Sequence, residues 1–479
     1  MTILGGGITV LAAAHTLVRS ASAGVPVEVS LFEAGARLGG LIQTEQWEDF
    51  ILEGGPDSVL AEKPEAIAFC KELGLEDAFL GSNDAQRRTY ILHQGRLAQI
   101  PSGMGLFAFR RFVPALISPL FPLGTKLRII HEVLSDRRVE MRNLSFDESA
   151  ADYIRRRFGS GMLENFIEPM LAGIYGSEPE HLSAQVLLRL EAPERPSGSL
   201  SRGKPRKQKG TKSSSSIFTT LREGMGQLTR AVEQQLLWAE KSGTFRLYLR
   251  EKAHLIERFM SSRPGEKTSR WRYVIRCESG IHVEADAVIL ALPTYECAQL
   301  LRPLSARLAD LLSAIPYTSA VTVTLCYRMA PPNLPGGFGF LVPRSAGSKL
   351  LACTFVHNKF SRRAPSGGAL LRCFLGGVRH PGIEEMEEQE LVAISLAELR
   401  KILNLTGEPS FTRVWRWPRA MPQYNVGHAG RVREMEQEIE NYPGLFLAGN
   451  AYSGVGISDC IRTAKVAVNG ALRMAGGHG

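Results

Sequence analysis

The sequence contains none of the cysteine or histidine spacings with which proteins bind metal ions or build disulfide frameworks. It has no C-x-x-C pair, no H-E-x-x-H segment and no cluster of cysteine with histidine. Scattered cysteines of this kind predict reduced, mostly buried thiols in a cytoplasmic protein, and we expect no metal site. The seven cysteines are Cys70, Cys277, Cys297, Cys326, Cys353, Cys373 and Cys460.

Long apolar runs are also missing, since no apolar stretch reaches the length of a transmembrane helix. We expect no signal peptide before the first predicted strand. The 479 residues are 44% hydrophobic and 22% charged, which is typical of a globular protein with more than one lobe. This composition excludes a disordered or fibrous chain.

Positive charge is concentrated in one segment. Residues 193–217 hold seven Lys or Arg and one Glu, so they carry +6 of the formal net charge of +9. This segment has too few apolar residues to fold and is typical of a basic linker. A solvated loop is the simplest interpretation, and a contact with lipid phosphate or nucleic acid is the alternative. The near-neutral remainder argues against a nucleic-acid-binding protein.

A glycine-rich turn begins almost at the first residue. In ILGGGITVLAAAH, residues 3–15, a short apolar strand leads into Gly5 and Gly7, and a helix of small residues follows. This resembles the dinucleotide pattern G-x-G-x-x-G, in which the second glycine lets a pyrophosphate approach the helix N-terminus. Val10 occupies the third glycine position. Since that position serves helix–strand packing, we expect overpacking at Val10 rather than loss of the phosphate contacts.

The next strand ends at an acidic residue. Glu33 closes the strand that follows the first helix, where an acceptor for ribose hydroxyl groups is found in dinucleotide-binding units. The segment EAGARLGG then supplies Arg37, Gly39 and Gly40, which suit a bulky charged cofactor passing over the turn. Residues 2–35 therefore predict a βαβ unit with a parallel sheet. A further glycine turn, EGGPDS, follows at 53–58.

A comparable unit closes the chain. GLFLAGNAYSGVGISDCIRTAKVAVNGAL, residues 444–472, predicts a strand, a turn with Gly454 and Gly456, and a long helix with Ser458 as its N-cap. The N-terminal dipole of that helix would stabilise negative charge on a reduced flavin. One such unit at each end implies that distant segments build one domain.

Residues 103–124, GMGLFAFRRFVPALISPLFPLG, combine apolar side chains with Arg110 and Arg111. Three prolines make a spanning helix implausible, so the segment predicts a peripheral membrane contact, with a buried helix pair as the alternative.

Elsewhere the sequence predicts helices at 61–80, 218–236 and 386–403, a mainly helical region at 87–192, and strands at 271–277, 281–291, 317–328 and 337–375.

Eight segments together resemble one enzyme family, the oxygen-dependent, FAD-containing protoporphyrinogen oxidases among the amine-oxidase-like flavoproteins. GGGIT and the RLGG of EAGARLGG are common to all amine-oxidase-like flavoproteins. GFGFLVPR, RAMPQYNVGH and AGNAYSGVGISDCI are more specific to the porphyrinogen enzymes, and the likeness runs almost end to end. The remaining segments are EGGPDS, LREGMGQL and DAVILALP.

The resemblance implies an α/β fold with three parts: a Rossmann-like FAD-binding domain built from discontinuous segments, an α+β substrate domain, and a mainly helical membrane-associating lobe. The expected boundaries are 1–86, 218–293 and 420–479 for the FAD domain, 87–192 for the helical lobe, 193–217 for the linker and 294–419 for the substrate domain.

Site residues follow from the resemblance position by position. The expected FAD contacts are Gly5, Gly7, Glu33, Arg37, Gly39, Gly40, Gly454, Val455 and Gly456. Arg88 would hold a substrate propionate, with Arg87 leaving the register open, beside the pocket residues Gly173, Phe338, Gly339 and Leu341. Without the resemblance, Phe338, Phe340 and Leu341 would be ordinary strand core. No catalytic side chain is expected, because the flavin carries the chemistry.

The implied reaction removes six electrons from protoporphyrinogen IX and yields protoporphyrin IX, with oxygen as acceptor and hydrogen peroxide as product, in haem biosynthesis. Three alternatives stay open: a coproporphyrinogen III oxidase of the same fold, an amine oxidase, and a flavin-poor porphyrin-binding protein inactivated by Val10. The expected location is cytoplasmic, peripherally attached to the inner face of the cell membrane. A homodimer and a contact with ferrochelatase are further partners that the resemblance admits, and no nucleic acid is expected.

Overall fold

The computed structural model describes residues 1–105, 112–134, 147–191, 216–261 and 270–476. Twenty strands in chain order lie within these residues. They are Thr2–Leu4 (β1), Val29–Glu33 (β2), Thr44–Trp47 (β3), Phe50–Glu53 (β4), Val59–Leu60 (β5), Phe79–Gly81 (β6), Thr89–His93 (β7), Arg96–Gln99 (β8), Phe218–Leu221 (β9), Phe245–Leu249 (β10), Ala253–Ser261 (β11), Arg270–Cys277 (β12), His282–Ala285 (β13), Val288–Leu290 (β14), Tyr317–Tyr327 (β15), Gly339–Leu341 (β16), Leu350–Phe355 (β17), Ala369–Gly376 (β18), Phe411–Pro422 (β19) and Leu445–Leu447 (β20).

The described residues also form α-helices. They are Ile8–Ser22 (α1), Pro64–Glu72 (α2), Val113–Ile117 (α3), Leu123–Leu134 (α4), Ala150–Phe158 (α5), Ser160–Met162 (α6), Glu168–Tyr175 (α7), Ala184–Glu191 (α8), Gly226–Lys241 (α9), Thr294–Leu301 (α10), Ala306–Ser313 (α11), Val356–Lys359 (α12), Glu388–Leu403 (α13), His428–Ile439 (α14) and Ile457–Gly476 (α15), with a π-helical turn at Leu163–Ile167 between α6 and α7. Within the described residues, α3 to α8 follow one another without an intervening strand.

A parallel sheet in the order β10-β2-β1-β14-β20 forms the centre of the first domain. Strands β1 and β14 are buried along their whole length, as parallel strands covered on both faces require. Helices α1, α2, α9 and α15 pack on one face, and α10, α11 and α14 pack on the other with β11–β13. The strands come from both ends and the middle of the chain, which confirms the Rossmann-like domain built from discontinuous segments.

A second sheet of seven strands has the order β19-β15-β18-β17-β16-β7-β8. Apolar side chains on one face of it pack against α13. Its other face meets the cofactor-side strand β4 and a separate helical cluster formed by α3–α8. These two parts correspond to the expected α+β domain and helical lobe.

Strands at the start of the region predicted as helical are a correction. Thr89–His93 and Arg96–Gln99 form a hairpin within the seven-stranded sheet, so residues 87–192 are not helical throughout. Gln94 and Gly95 have φ values of 49° and 77°, the conformation of a two-residue hairpin turn. This turn is less obvious in the sequence because glutamine replaces the usual asparagine or aspartate.

Two predicted helices also differ in extent, and one strand was missed. Residues 218–221 pair with β5 and β6 as a strand, so the helix predicted at 218–236 begins only at Gly226. The helix predicted at 61–80 ends at Glu72. The long strand Ala253–Ser261 was not predicted.

Two sequence predictions fall partly or largely outside the described residues. Residues 106–111 of the segment 103–124, including Phe109, Arg110 and Arg111, lie there, as do residues 193–215 of the linker 193–217. Among the described helices, none combines the length and apolarity needed to cross a bilayer. All seven cysteines are buried and free, as expected.

Candidate functional site

The first glycine turn lies at the carboxyl edge of the parallel sheet. Gly5 has a φ of 117°, which disfavours any side chain, and Gly7 is the N-cap of α1. A Cβ on Gly5 would lie 2.8 Å from the Ala291 carbonyl oxygen, whereas a Cβ on Gly7 would meet no atom within 4 Å. The space beside Gly7 is therefore open at a helix N-terminus, where free amides and the dipole favour a phosphate.

Val10 is accommodated behind this turn. Its side chain is fully buried, and its Cγ2 lies 3.1 Å from the position that a Cβ on Gly5 would take. Because Gly5 has no Cβ, the valine fills that space, and α1 still begins at Ile8. The structure thus differs from the expected overpacking, because the absence of a Cβ at Gly5 leaves space for the Val10 side chain.

The Glu33 carboxylate lies directly over the turn. Its Oε1 accepts a hydrogen bond from the Gly35 amide at 2.6 Å, and a Cβ on Gly6 would overlap the carboxylate. The sequence prediction named Glu33 but missed Gly6, whose signal is the middle position of GGG. A side chain at residue 6 would displace the Glu33 carboxylate from its position over the turn.

The loop 37–40 meets the same turn. The Gly39 amide donates to the Gly6 carbonyl at 2.8 Å, and a Cβ on Gly40 would lie 2.8 Å from Gly7 Cα. The exposed Arg37 guanidinium donates to the backbone oxygens of its own loop, including that of Gly40 at 2.7 Å. Gly39 and Gly40 are therefore brought to the first turn, whereas Arg37 braces the loop.

The EGGPDS loop joins this edge to the seven-stranded sheet. A Cβ on Gly55 would overlap the backbone of Leu41, so the loop lies directly against the residue that follows Gly40. The Gly54 carbonyl oxygen accepts from Thr322 Oγ1 at 3.0 Å, from an Arg372 Nη at 2.8 Å and from Trp417 Nε1 at 3.1 Å. One carbonyl thus holds β15, β18 and β19.

Buried charges surround this loop. Arg363 and Arg372 are 0% and 4% exposed, and Lys359 Nζ lies 2.9 Å from Asp57 Oδ1. Burial opposes ionisation of Asp57, but Lys359 and Arg372 together lower its pKa to about 2. The sequence prediction missed this cluster, because its members come from segments roughly 300 residues apart and form no local pattern.

Glu53 has the opposite environment. Its carboxylate is 3% exposed and accepts from Thr44 Oγ1 and the Met225 amide, each at 2.6 Å. Burial raises its pKa to about 7, although both hydrogen bonds oppose the shift. A carboxyl group that titrates near neutral pH therefore lies beside the loop that joins the two sheets.

The C-terminal turn is held by a buried carboxylate. Gly454, Val455 and Gly456 precede α15, and Asp459 Oδ2 accepts from the Gly456 amide at 3.3 Å. Lys63 Nζ pairs with the same oxygen at 2.7 Å. Because α1 and α15 pack side by side in the first cluster, both glycine turns lie at neighbouring helix N-termini.

Ser458 has a role other than the expected one. The helix begins at Ile457, so Ser458 lies within its first turn and is not its N-cap. Its Oγ accepts from the Ala66 amide at 3.3 Å and donates to the Lys63 carbonyl at 3.2 Å. It therefore caps α2 from across the interface, while Asp459 satisfies an amide at the start of α15.

Two predicted pocket residues meet at the boundary of the helical lobe. A Cβ on Gly173 of α7 would lie 2.6 Å from Leu341 Cδ2 and 3.9 Å from the Ala352 Cβ. Gly339 has a φ of 145°, and a Cβ there would overlap the Cys353 carbonyl. Gly173 thus permits close approach of α7, and Gly339 permits pairing of β16 with β17. Phe338 is buried beside this strand.

The remaining predicted pocket residues lie on opposite faces of the sheet at β16. Phe340 pairs in register with Tyr90 and packs on the α13 face, whereas Leu341 pairs with Ile91 and packs on the helical lobe. Tyr90 Oη donates to the Gly336 carbonyl at 2.8 Å, and an Nη of Arg88 lies 2.6 Å from the Cβ position of Gly336. Arg88 is therefore exposed on the Tyr90 side, and the structure does not bring it to Gly173 and Leu341.

These features fit a dinucleotide cofactor. The edge offers open space at Gly7, a carboxylate over Gly6 and the neighbouring N-termini of two helices. Glycines admit the close backbone approach, and the acid suits a ribose hydroxyl.

Comparisons with known proteins agree with this geometry. The family model described as flavin containing amine oxidoreductase matches residues 11–472. Coproporphyrinogen III oxidase of Bacillus subtilis (strain 168) is 31% identical over 482 residues, covering 98% of this chain and 97% of that protein. Chloroplastic protoporphyrinogen oxidase of Oryza sativa subsp. japonica is 29% identical, covering 96% and 86%.

A solved structure from Exiguobacterium sp. 255-15 superimposes with a TM-score of 0.79 at 28% identity, covering 99% of this chain and 98% of that one. The match therefore extends over the whole fold. The match to a flavin-containing family, together with the glycine turns and Glu33, supports FAD as the cofactor. The chain belongs to the flavin-containing amine oxidoreductase family and, within it, to the porphyrinogen oxidases.

Proposed function

We propose that the chain oxidises protoporphyrinogen IX to protoporphyrin IX with oxygen as the acceptor. Six hydrogens leave the substrate, and three oxygen molecules each take up two of them to give hydrogen peroxide. Bound FAD supplies the ring that accepts hydride. The observation that carries the proposal is that two glycine turns lie at one edge of the parallel sheet. The Gly54 carbonyl joins this edge to the seven-stranded sheet, and the face of that sheet carries the Gly173–Leu341 contact.

The chain's own residues would bind, orient and exclude water. Gly7 and the N-terminus of α1 would hold the pyrophosphate, and Glu33 would accept a hydrogen bond from a ribose hydroxyl. The turn Gly454–Val455–Gly456 lies at the N-terminus of α15, whose dipole favours negative charge. None of these side chains transfers a proton in the proposal.

The substrate would lie against the sheet face that meets the helical lobe. Leu341, Ala352 and Ile91 present apolar groups there, and Gly173 brings α7 close without a side chain. A broad macrocycle needs an apolar slot with polar groups confined to its rim, and we propose these apolar side chains as one wall of that slot.

Coproporphyrinogen III is a second candidate substrate, supported by relatives named coproporphyrinogen III oxidase that are 30–31% identical to this chain. Relatives named protoporphyrinogen oxidase, at 24–29% identity, support the first candidate. The two substrates differ in the number of carboxylates, which is two in one and four in the other.

Turnover of the FAD-loaded protein on each porphyrinogen tests the function. Porphyrin fluorescence reports the product, and oxygen uptake with peroxide release reports the acceptor. We expect kcat/KM to be at least about tenfold higher for one substrate, a difference of about 1.4 kcal/mol in transition-state binding. A protein that binds FAD and oxidises neither porphyrinogen would contradict the proposal, and turnover of an amine would identify the amine-oxidase alternative.

Arg88 stays a proposed propionate ligand, and Arg87 is the alternative. A charge-assisted hydrogen bond contributes about 1.5–3 kcal/mol, so loss of the right arginine should raise KM roughly 10- to 150-fold. Since Arg88 lies on the Tyr90 side of β16, KM values for Arg88→Ala and Arg87→Ala decide which residue holds the carboxylate. Equal and unchanged KM values would exclude both.

We also propose peripheral attachment to the inner face of the cell membrane in the cytoplasm. Exposed apolar side chains on α3 and α4 support it, including Ile117 at 80% exposure.

A homodimer and a contact with ferrochelatase remain further proposals that rest on the family resemblance alone. The flavin-poor alternative loses its premise, because Val10 fits behind Gly5.

A further inference from the structure

The segment 423–428 contacts all three parts of the described structure. It directly follows β19 of the seven-stranded sheet. Its backbone pairs with the helical lobe, where the Ser183 amide donates to the Tyr424 carbonyl at 2.8 Å and the Val426 amide donates to the His181 carbonyl at 2.9 Å. Its end begins α14 of the cofactor domain.

Tyr424 binds both ends of the loop 450–454. The phenol is 1% exposed. It donates to the Asn450 carbonyl and accepts from the Gly454 amide at 3.0 Å. Because Gly454 begins the proposed cofactor turn, one hydroxyl group fixes the backbone immediately before that turn.

His428 supports the same loop from behind. Its ring lies 4.5 Å from the Tyr424 ring, and its Nε2 lies 3.3 Å from the Tyr452 carbonyl, to which it donates as the neutral tautomer. Burial lowers the pKa of His428 to about 4, so the ring stays neutral near pH 7. The loop is thus held at Asn450, Tyr452 and Gly454.

Gln423, the adjacent residue, holds the helix of the substrate slot. Its side chain is 3% exposed, and its Nε2 donates to the Tyr175 carbonyl and to Thr318 Oγ1, each at 3.1 Å. Tyr175 is the last residue of α7, the helix that carries Gly173. The amide therefore ties the end of α7 to β15.

We propose that Tyr424 is a positioning residue for the cofactor turn and that Gln423 is a positioning residue for α7. Two neighbouring side chains then set the cofactor turn and the substrate slot relative to each other. This inference rests on the proposed function, because it needs FAD at residues 454–456 and a porphyrinogen at Gly173. Tyr424 and Gln423 would act without touching FAD or the porphyrinogen, by fixing the backbone segments that contact them.

Titration of the apoprotein with FAD tests the first assignment. Tyr424→Phe should raise the Kd for FAD about tenfold, since a buried hydroxyl with two backbone partners is lost. Tyr273→Phe is the matched control, because that phenol is equally buried and donates to the Pro443 carbonyl at 3.0 Å, away from the turn. Both variants should lose similar thermal stability, but only Tyr424→Phe should lose FAD affinity.

Titration with the porphyrin products tests the second assignment without requiring turnover. Gln423→Met should raise the Kd for protoporphyrin IX and coproporphyrin III roughly 5- to 20-fold and leave the Kd for FAD unchanged. His428→Phe keeps a ring over Tyr424 and removes the Tyr452 contact, so it should weaken FAD binding less than Tyr424→Phe.

The proposal is overturned if Tyr424→Phe binds FAD as tightly as the control, or if Gln423→Met weakens FAD and porphyrin equally. If Tyr424→Phe does not fold, His428→Phe tests the anchoring of the loop 450–454 in its place. An unchanged Kd for FAD in that variant would mean that anchoring this loop does not position the cofactor turn, and the first assignment is then overturned. Failure of the proposed function looks different, because wild-type protein would then bind FAD without oxidising either porphyrinogen.

Discussion

Val10 and Gly5 show how one residue can compensate for the loss of a motif position nearby. The Cγ2 of Val10 lies 3.1 Å from the position that a Cβ on Gly5 would take, and the side chain is fully buried in the cluster that α1 shares with α15. A glycine at position 10 would leave that volume empty. The absence of the third glycine therefore affects packing behind the turn. It does not change the orientation of the backbone amides at Gly7.

We expect Val10→Gly to lower the free energy of unfolding by about 2–4 kcal/mol. Loss of a buried valine side chain and of helix propensity both contribute in this direction. The Kd for FAD should change less than about threefold, because the phosphate-facing backbone is unaltered. Denaturant unfolding and FAD titration measure the two effects. A glycine variant that is more stable, with tighter FAD binding, would restore overpacking as the explanation.

Glu53 makes stability depend on pH near neutrality. Burial raises its pKa from 4.5 to about 7, so the folded state retains a proton that the unfolded chain releases above pH 4.5. The folded state binds more protons in that interval, and stability therefore falls as pH rises from about 4.5 to 7. Below 4.5 the contribution is fully present, and above 7 it is lost.

Glu53→Gln should flatten this dependence. The wild type should lose on the order of 2–3 kcal/mol of unfolding free energy between pH 5 and 8 from this group, and the glutamine variant should lose distinctly less. Denaturant unfolding at both pH values measures the difference. Glu434→Gln, at an exposed site on α14, is the control and should follow the wild type. Parallel curves for wild type and Glu53→Gln would contradict the assignment.

At the scale of elements, α4 presents its apolar side chains outward. Leu123, Leu127, Ile130 and Leu134 lie on one face and are 73%, 58%, 38% and 79% exposed, whereas Ile129 on the opposite face is buried. An apolar stripe on a surface helix marks a contact with a membrane or a partner. The element therefore supports the proposed membrane attachment independently of residues 106–111.

Substitution of this stripe should weaken membrane binding. We expect the triple variant Leu123→Ser, Leu127→Ser and Leu134→Ser to bind anionic liposomes at least about tenfold more weakly, since each leucine contributes roughly 1.5–3 kcal/mol when buried. FAD content should hold. Met329→Ser removes one equally exposed apolar side chain elsewhere and should have no effect. Unchanged cosedimentation of the triple variant would count against membrane attachment.

Elements were predictable from the sequence where their signals are local. The strand before Gly5, the helix after it and the strand ending at Glu33 follow from periodicity and glycine spacing within about 30 residues. Arg372 and Trp417 could not be predicted in this way, because their partner Gly54 lies more than 300 residues away. The strand Thr89–His93 was missed for a related reason, since one of its neighbours in the sheet is Gly339–Leu341.

For the whole molecule, the Gly54 carbonyl is one of the points where the cofactor domain and the seven-stranded sheet meet. Arg372 is buried, donates to both Gly54 and Gly55, and lies close enough to Asp57 to lower its pKa. Removal of one partner from a buried charged cluster is far more disruptive than loss of a surface pair. The two domains should therefore unfold as one cooperative unit in which FAD binding stabilises both.

We expect Arg372→Met to destabilise the protein by about 3–5 kcal/mol, since it leaves Asp57 with fewer compensating charges and removes two hydrogen bonds. Trp417→Phe removes a single bond to Gly54 and should lower stability by about 1 kcal/mol. Arg416→Met is the control, because that guanidinium lies on the other face of β19 and donates to the Glu384 and Met386 carbonyls.

Calorimetry with and without FAD measures the coupling between the two domains. The wild type should show one transition that FAD shifts to higher temperature, and Arg372→Met should split this transition or reduce the FAD-induced shift. If Arg372→Met behaves like Arg416→Met, the contact at Gly54 does not couple the domains.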